Sequence, residues 1–276
     1  LSVSSLDAIL ALNHLIDNAA RERIRHEILR AMALRIPSYF FRTLARTGLL
    51  KKIFPCLDRC RDLDGGPFHG ETVFEHCMLV GDALKGNRPI LRLAGYLHDV
   101  GKFDAASMEN GKLSFAGHEK QTEALVRDLK NLRFSRQEIR YVESITLAHM
   151  RPLTDKSTDR AVRRLLAMLH RYDLKFNDFF RMRIADKKGN LAKHPYNLRD
   201  IRIRLQKVHD AVNAETAVSK DQLKLSGNDI IRILGIEPGP KVGRVKQILL
   251  DYVLDHPEMN TFPELEKRCR LLKTEI

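Results

Sequence analysis

The middle of the chain reads Tyr96-Leu97-His98-Asp99-Val100-Gly101-Lys102. The adjacent His98 and Asp99 supply one imidazole nitrogen and one carboxylate oxygen. Such a mixed set binds Mg²⁺, Mn²⁺, Fe²⁺, Ni²⁺ or Zn²⁺ and leaves coordination positions open for water. Lys102 lies four residues after His98, so an uninterrupted helix would place its ammonium group on the same face, within reach of a phosphate oxygen. The stretch therefore predicts a metal site that acts on phosphate.

Further histidines and a carboxylate lie on either side of this stretch. His76 precedes it, Asp186 follows it in the segment Ile184-Ala185-Asp186-Lys187-Lys188-Gly189, and His118 and His149 lie between the two. A single histidine is more often structural than a ligand, and a lone His-Asp pair arises easily by chance. The prediction of a metal centre therefore depends on the whole combination.

This combination resembles the HD-domain family of metal-dependent phosphohydrolases. The family's pattern is a histidine, then a His-Asp pair, then a distant aspartate. The resemblance implies one metal site formed by four ligands from three helices, and those ligands are His76, His98, Asp99 and Asp186.

The chemistry of metal-assisted hydrolysis suggests the catalytic roles. Asp99 would bridge two ions where two are bound, and Lys102 would stabilise the phosphate. His118 and His149 would either bind a second ion or protonate the leaving oxygen. His69 is expected to form a hydrogen bond to a ligand from outside the coordination sphere. A site that keeps its ligands but has lost its activity stays an open alternative.

The flanking segments resemble the tRNA nucleotidyltransferase and poly(A) polymerase family. Residues 20–28 contain Glu22-Arg23-Ile24-Arg25, which looks like that family's body helices, and residues 225–243 are similar to its C-terminal module. With the HD-type centre, the resemblance covers nearly the whole chain in the family's order. It implies RNA, and tRNA in particular, as a partner.

One part of that family's pattern is missing from the sequence. The nucleotidyl-transfer head, with its Gly-Ser motif and paired aspartates, precedes this region in the family, as does the Glu-Asp-x-x-Arg element that selects nucleotides. We therefore expect no nucleotidyl transfer by this chain alone. Either the head lies outside this sequence or the gene encodes a relative without one, and a first residue other than methionine, Leu1, favours a fragment.

Apolar residues recur at helical spacing along the chain, as in the series Ile24, Ile28 and Met32, whereas sustained strand-like alternation is absent. We predict an all-α fold, an elongated multi-helix chain around a central HD-domain bundle. Gly65-Gly66-Pro67 and Lys193-His194-Pro195 interrupt the pattern. The predicted domains are a neck- and body-like helical region (1–66), an HD phosphohydrolase domain (67–200) and a C-terminal helical RNA-binding-like module (201–276).

The chain has a formal net charge of +13, which suits a polyanionic partner such as RNA. Four residues are candidates for contacting RNA phosphates: Arg21, Arg25, Lys241 and Arg244. The first two alternate with acidic residues, so a salt-bridged helix surface is the favoured alternative for them. Lys241 and Arg244 follow a Pro-Gly-Pro turn at a predicted helix N-terminus, where backbone N–H groups favour phosphate, although a plain structural turn is an equal alternative.

Two other groups of side chains bear on RNA binding. The arginines at 133, 136 and 140 and at 160, 163 and 164 are spaced to share helix faces, which solvated helices show as often as phosphate-binding ones. Stacking platforms for single strands are not evident, because the one aromatic cluster, Tyr39-Phe40-Phe41, is predicted to be core.

The composition is that of a soluble globular protein, with 43% hydrophobic and 30% charged residues. No apolar run reaches the ~18 residues that span a bilayer, and no signal peptide is evident, so we expect a cytoplasmic protein without a membrane partner. Its four cysteines, at 56, 60, 77 and 269, are too few for a disulfide scaffold and are predicted to be reduced thiols.

The function predicted from these features is hydrolysis of phosphate esters at RNA ends, with 2′,3′-cyclic or terminal phosphates as substrates. One alternative is a stand-alone HD hydrolase of free nucleotides. Another is a non-catalytic tRNA-binding body whose metal site is vestigial. The identity of the metal ion and the oligomeric state stay open.

Overall fold

The computed structural model describes residues 2–213 and 217–272. Most of these residues are helical, and the all-α prediction is confirmed. The helices are α1 (Val3–Leu12), α2 (Arg21–Met32), α3 (Ser38–Arg46), α4 (Leu50–Ile53), α5 (Pro55–Asp58), α6 (Val73–Ala83), α7 (Pro89–Leu97), α8 (Lys102–Ala105), α9 (Glu123–Asn131), α10 (Arg136–Ala148), α11 (Asp159–Arg171), α12 (Phe176–Gly189), α13 (Leu198–Asn213), α14 (Gly227–Leu234), α15 (Pro240–Asp255) and α16 (Phe262–Leu271). Short 3₁₀ turns are found at Asn13–Asn18, His118–Lys120, Lys220–Gln222 and Pro257–Met259.

A small β-hairpin was not expected from the apolar periodicity. Strands β1 (Ser107–Glu109) and β2 (Lys112–Ser114) pair in antiparallel register, with Met108 opposite Leu113. Asn110 and Gly111 form the turn with φ values of 51° and 74°, which is the Asn-Gly geometry that two-residue hairpins favour. Strands of three residues are too short for their alternation to be recognised.

The described chain forms two compact units. One contains residues 2–150 and 173–196, and the other contains residues 151–172, 197–213 and 217–272. The three domains predicted from the sequence, with boundaries at 66 and 200, stay a prediction.

The core of the first unit is built on α7, which packs against α2, α6, α10 and α12. Tyr96 on α7 is fully buried beside Phe41. A Cβ atom added at Gly81 would lie 2.4 Å from the Tyr96 ring, so α6 can approach α7 this closely only with glycine at that position. Arg92, also buried on α7, donates to the carbonyl oxygens of Met32 and Leu34 and so satisfies the C-terminal end of α2.

Helix α7 ends where the predicted site begins. Residues 98–101 form a turn, and α8 starts at Lys102. The continuous helix that would carry His98 and Lys102 on one face is therefore not formed. A Cβ atom on Gly101 would lie 2.3 Å from the carbonyl oxygen of His118, so this turn packs directly on the backbone of the His118–Lys120 turn.

The second unit has its own core among α14, α15 and α16, with fully buried side chains that include Leu225, Ile230 and Val245. Ser226 and Asp229 form a capping box at the start of α14, and Gly235 ends that helix in a left-handed conformation with φ of 67°. Both features agree with the sequence pattern.

One of the two arginine sets has structural partners. Arg160 and Arg164 both pair with Asp255 at the end of α15, and Arg163 donates to the carbonyl oxygen of Leu254 at 2.9 Å. These three arginines therefore stabilise a helix end. In the other set, Arg133 has a φ of 61° and precedes α10, so the prediction that it shares a helix face with its two neighbours is wrong.

Three further features bear on the predictions. The aromatic cluster is core only at Phe41, because Tyr39 is 67% exposed. The four cysteines are buried free thiols. Among the described residues, no helix has both the length and the apolar composition needed to cross a membrane.

Candidate metal centre

Six segments of the first unit bring the predicted ligands together. They are the first turns of α6 with His76, the turn after α7 with His98 and Asp99, the start of α8 with Lys102, the 3₁₀ turn with His118, the residue after α10, His149, and the last turns of α12 with Asp186. All of these side chains are buried except that of Asp186, which is partly exposed. The predicted ligands, distant in sequence, are thus neighbours in the structure.

One group of ligand atoms lies on the Oδ2 side of Asp99. The Nε2 atoms of His76 and His98 lie 3.6 and 3.5 Å from Asp99 Oδ2. The same nitrogens lie 3.2 and 3.9 Å from Asp186 Oδ1. Two imidazoles and two carboxylates therefore converge within the range that a divalent ion can gather.

A second group lies on the other side of Asp99. His118 Nε2 and His149 Nε2 lie 3.1 and 3.2 Å from Asp99 Oδ1 and 3.3 Å from each other. Asp99 thus has one oxygen directed to each group. This is the arrangement in which one carboxylate can serve two ions.

Backbone carbonyl groups set the tautomer of the histidines. The Nδ1 atoms of His98, His118 and His149 lie 2.9, 2.9 and 2.6 Å from the carbonyl oxygens three residues earlier in the chain. His76 Nδ1 lies 3.3 Å from the carbonyl oxygen of Gly189. Because a carbonyl oxygen only accepts, Nδ1 carries a proton in each of these rings, which leaves Nε2 as the nitrogen that can bind a metal ion, as in metal-ligating histidines.

Charge and burial fit a cation at this place. Burial lowers the pKa of His98 to about 3, so its ring is neutral, and its Nε2 is buried without a hydrogen-bond partner. An unsatisfied buried atom of this kind costs roughly 1–3 kcal/mol. Burial opposes ionisation of Asp99, yet the ammonium of Lys102 beside it helps to hold the pKa of Asp99 well below its usual range. Imidazole nitrogens beside ionised carboxylates are a donor set that binds divalent metal ions, so these residues fit a divalent ion.

His76 and Asp186 form a coupled pair within the centre. Although burial opposes both shifts, their hydrogen bond raises the pKa of His76 to about 9 and lowers the pKa of Asp186 below its usual range. A metal ion that binds here must therefore displace a proton from His76.

Lys102 reaches the centre even though the predicted continuous helix through His98 and Lys102 is not formed. Its Nζ is 2.8 Å from Asp99 Oδ2 and 3.3 Å from His69 Nε2. His69 in turn bonds Glu71 Oε1 through Nδ1 at 2.8 Å. A continuous chain of hydrogen bonds thus runs from Glu71 through His69 and Lys102 to Asp99.

Glu71 and Arg183 are parts of the centre that the sequence analysis missed. The Glu71 side chain is 3% exposed, and its Oε1 lies 3.2 Å from His76 Nδ1. Its hydrogen bonds to His76 and His69 outweigh the effect of burial and lower the pKa of Glu71 to about 2. Arg183 donates to the carbonyl oxygen of His149 at 2.7 Å and to Asp186 Oδ2 at 3.0 Å. The position of Arg183 one helical turn before Asp186 was the only signal in the sequence.

The centre opens into a cavity of about 910 Å³. Asp99, Lys102, His118, His149 and Asp186 all line it. A ligand in the cavity can therefore approach Asp99 and the side chain of Lys102.

The four candidate RNA-contacting residues lie elsewhere. Arg25 donates to Glu138 Oε1 at 2.6 Å and lies over the Phe134 ring, and Arg21 lies 3.8 Å from Asp17. These contacts match the salt-bridged alternative. Lys241 and Arg244 are exposed near the start of α15 in the second unit, where the sequence placed them.

Comparison with known proteins adds two family matches. The family described as "HD domain" matches residues 69–212, more than half of the chain. The family described as "Probable RNA and SrmB- binding site of polymerase A" matches residues 2–61.

Two of the curated relatives are tRNA nucleotidyltransferases by name. The chain is 29% identical over 246 residues to an A-adding tRNA nucleotidyltransferase of Deinococcus radiodurans and to a CC-adding tRNA nucleotidyltransferase of Thermus thermophilus, covering 84% of this chain and 54% and 52% of theirs. It is 35% identical over 91 residues to a Multifunctional CCA protein of Methylococcus capsulatus, covering 32% of this chain and 21% of that protein. The chain thus spans about half the length of the first two relatives.

Proposed function

The chain belongs to the HD-domain family, and we propose that its buried centre hydrolyses phosphate esters at RNA ends, as 2′,3′-cyclic phosphodiesters or terminal phosphomonoesters. The observation that carries the proposal is the convergence of four imidazole Nε2 atoms on the two oxygens of Asp99, with Asp186 and Lys102 beside them. No nucleotidyl transfer is assigned to this centre.

In this proposal His76, His98, Asp99 and Asp186 would hold one divalent ion, and Asp99, His118 and His149 would hold a second. A divalent ion bound there supplies charge to the phosphoryl group and lowers the pKa of water. The backbone bonds to Nδ1 keep the four rings oriented, and Arg183 holds Asp186 in place.

Other side chains act on the substrate itself. Lys102 lines the cavity beside Asp99, where its ammonium can bind a phosphate oxygen and stabilise the charge that develops on it. When only one ion is bound, His118 can serve as the acid for the leaving oxygen. Burial lowers the pKa of His118, but the hydrogen bond to Asp99 outweighs this and raises it, so the ring can hold a proton at Nε2.

RNA as the substrate is supported by the rest of the chain. Residues 2–61 match the family described as "Probable RNA and SrmB- binding site of polymerase A", and the chain is homologous to tRNA nucleotidyltransferases over most of its length. The net charge of +13 favours a polyanionic partner. We propose tRNA as the RNA that is bound.

The test is a hydrolysis assay with Mg²⁺, Mn²⁺, Ni²⁺ and Zn²⁺ on adenosine 2′,3′-cyclic phosphate, on p-nitrophenyl phosphate esters and on tRNA that ends in a cyclic phosphate. We expect metal-dependent turnover that Asp99→Ala abolishes, because both groups of ligands lose their shared carboxylate. Asp104→Ala, which removes a nearby aspartate paired with Arg59 on the surface, is the matched control and should keep activity. Activity retained in Asp99→Ala, or no turnover with any of the four metals, would contradict the proposal.

A further inference from the structure

Aromatic side chains line the cavity around the metal centre. Phe68, Phe115 and Tyr196 all contribute to its wall. Phe68 is 69% exposed, so most of its ring is available to a ligand. An exposed phenylalanine alone needs no explanation, but one fixed at the opening of a polar, metal-binding cavity does.

The backbone holds Phe68 in this place. Its carbonyl oxygen accepts a hydrogen bond from Asn190 Nδ2 at 3.1 Å, which ties the loop to the end of α12. Gly66, with a φ of +86°, donates its N–H to Asp64 Oδ1 at 2.6 Å and accepts from the N–H of His69. The next residue, His69, reaches inward to Lys102. The loop therefore fixes the backbone of Phe68 one residue away from the hydrogen-bonded chain of the centre.

Lysines accompany these rings. Lys193 Nζ lies 5.7 Å from the centroid of the Phe68 ring, and Lys187 Nζ lies 4.2 Å from that of Tyr196. Both lysines line the cavity. Aromatic faces combined with cations are what proteins use to bind unpaired nucleotides, since bases stack on the rings and phosphates meet the cations.

We propose that Phe68, Tyr196, Lys187 and Lys193, here called the cavity rim, bind an unpaired terminal nucleotide of RNA. The base stacks on Phe68, the backbone phosphates meet the two lysines, and the terminal phosphate reaches Lys102 and Asp99. The proposal rests on the proposed function for the identity of the reacting phosphate. A volume of about 910 Å³ is within the range of small-ligand sites.

The rim also determines which RNA ends are accepted. A base inside a helix is stacked on both faces and cannot offer one to Phe68. The rim therefore selects unpaired ends and contributes no preference among the four bases, because every base has a face that stacks.

The stacking step can be observed directly, because the sequence contains no tryptophan. In the Phe68→Trp variant the new indole is the sole tryptophan fluorophore and lies at the rim. We expect its emission to be quenched when the chain is titrated with adenylyl-(3′→5′)-adenosine 3′-phosphate, a dinucleotide with a terminal phosphate. Ribose 5-phosphate, which has no base, should not quench it. Titrations are run in EDTA and repeated with Mn²⁺.

The matched control is Tyr39→Trp, since Tyr39 is an aromatic residue on α3 that is 67% exposed and lies outside the cavity wall. Its emission should not respond to the dinucleotide. Absence of quenching in Phe68→Trp under both conditions, or equal quenching in the two variants, would overturn the proposal.

Kinetics give a second readout. Phe68→Ala should raise KM for the dinucleotide 3′-phosphate by roughly tenfold, the loss expected for one stacked base. Its kcat should change little. Phe68→Tyr, which keeps an aromatic face, should restore the wild-type KM. An unchanged KM in Phe68→Ala would overturn the proposal.

The two proposals fail separately. A wild-type chain that hydrolyses none of the substrates, with quenching still specific to Phe68→Trp, would contradict the hydrolase function and support the nucleotide site. Metal-dependent hydrolysis with no effect of Phe68 on binding or KM would support the hydrolase and overturn the nucleotide site.

Discussion

Glu71 shows how much of the centre depends on a residue outside the proposed set of metal ligands. One of its carboxylate oxygens accepts from both His69 and His76, and the other accepts backbone N–H groups of Gly70 and Leu191. The Glu71 side chain therefore fixes the orientation of the His76 ring, which is a proposed metal ligand, and of the His69 ring, which contacts Lys102. Partners of this kind are worth 10- to 100-fold in metal affinity.

We expect Glu71→Gln to weaken Mn²⁺ binding by roughly 10- to 100-fold, because a neutral amide is a poorer acceptor for the Nδ1–H groups of His69 and His76. Calorimetric titration of metal-stripped protein with Mn²⁺ measures this affinity. Glu123→Gln is the matched control, since Glu123 is exposed at the start of α9 and its replacement should leave the affinity unchanged. An unaltered Mn²⁺ affinity in Glu71→Gln would show that the carboxylate does not orient the ligand.

The sequence revealed the proposed ligands but not the residues that support them. His98 and Asp99 are adjacent, and their distance from His76 and Asp186 follows a family pattern, so these residues could be recognised without a structure. Glu71 and Arg183 act through contacts formed only when the helices pack together. Phe68 could not be recognised from the sequence, because no pattern around it distinguishes an exposed surface phenylalanine from one that binds a ligand.

At the scale of the elements, the break between α7 and α8 determines the shape of the centre. The turn at residues 98–101 lets Asp99 face both groups of histidines while Lys102 still reaches Asp99 Oδ2. The turn is held by contact of Gly101 with the backbone of the His118–Lys120 turn. The position of His118 therefore depends on the absence of a side chain at residue 101.

We expect Gly101→Ala to destabilise the fold by about 1–3 kcal/mol, because the added methyl group would lie 2.3 Å from a backbone oxygen that cannot move aside. Equilibrium urea denaturation measures the change in the free energy of unfolding. Gly243→Ala is the control: it lies within α15, a Cβ there meets nothing within 4 Å, and alanine should be neutral or stabilising in a helix. Equal stability of the Gly101→Ala variant and the wild type would mean that the two turns can separate.

Most helices could be predicted, because burial on one face repeats at helical spacing. Ile24, Ile28 and Met32 are buried on α2 as their spacing indicates. The wrong predictions concern very short strands and residues whose place depends on where a helix begins or on which of its faces is buried. The hairpin has three residues in each strand, Arg133 lies before a helix rather than on it, and Tyr39 lies on the solvent face of α3.

At the scale of the whole molecule, the excess of basic residues divides into two classes. Some arginines are already paired within the protein, as Arg25 is with Glu138 and Arg160 is with Asp255. Others, such as Arg244 near the start of α15, are exposed. Net charge alone therefore overstates the number of groups that RNA phosphates can contact, and the salt dependence of binding distinguishes the two classes.

We expect Arg244→Ala to weaken tRNA binding and to reduce the slope of log K against log salt concentration by about 0.7–0.9, the change for one lost phosphate contact. Fluorescence anisotropy of labelled tRNA over a range of salt concentrations measures both quantities. The matched control is Arg160→Ala in the same unit. Its guanidinium already has the Asp255 carboxylate as a partner, so its removal should leave the slope unchanged. Equal loss of slope in both variants would mean that tRNA binding responds to net charge rather than to particular residues. The prediction that Arg244 contacts an RNA phosphate would then be wrong.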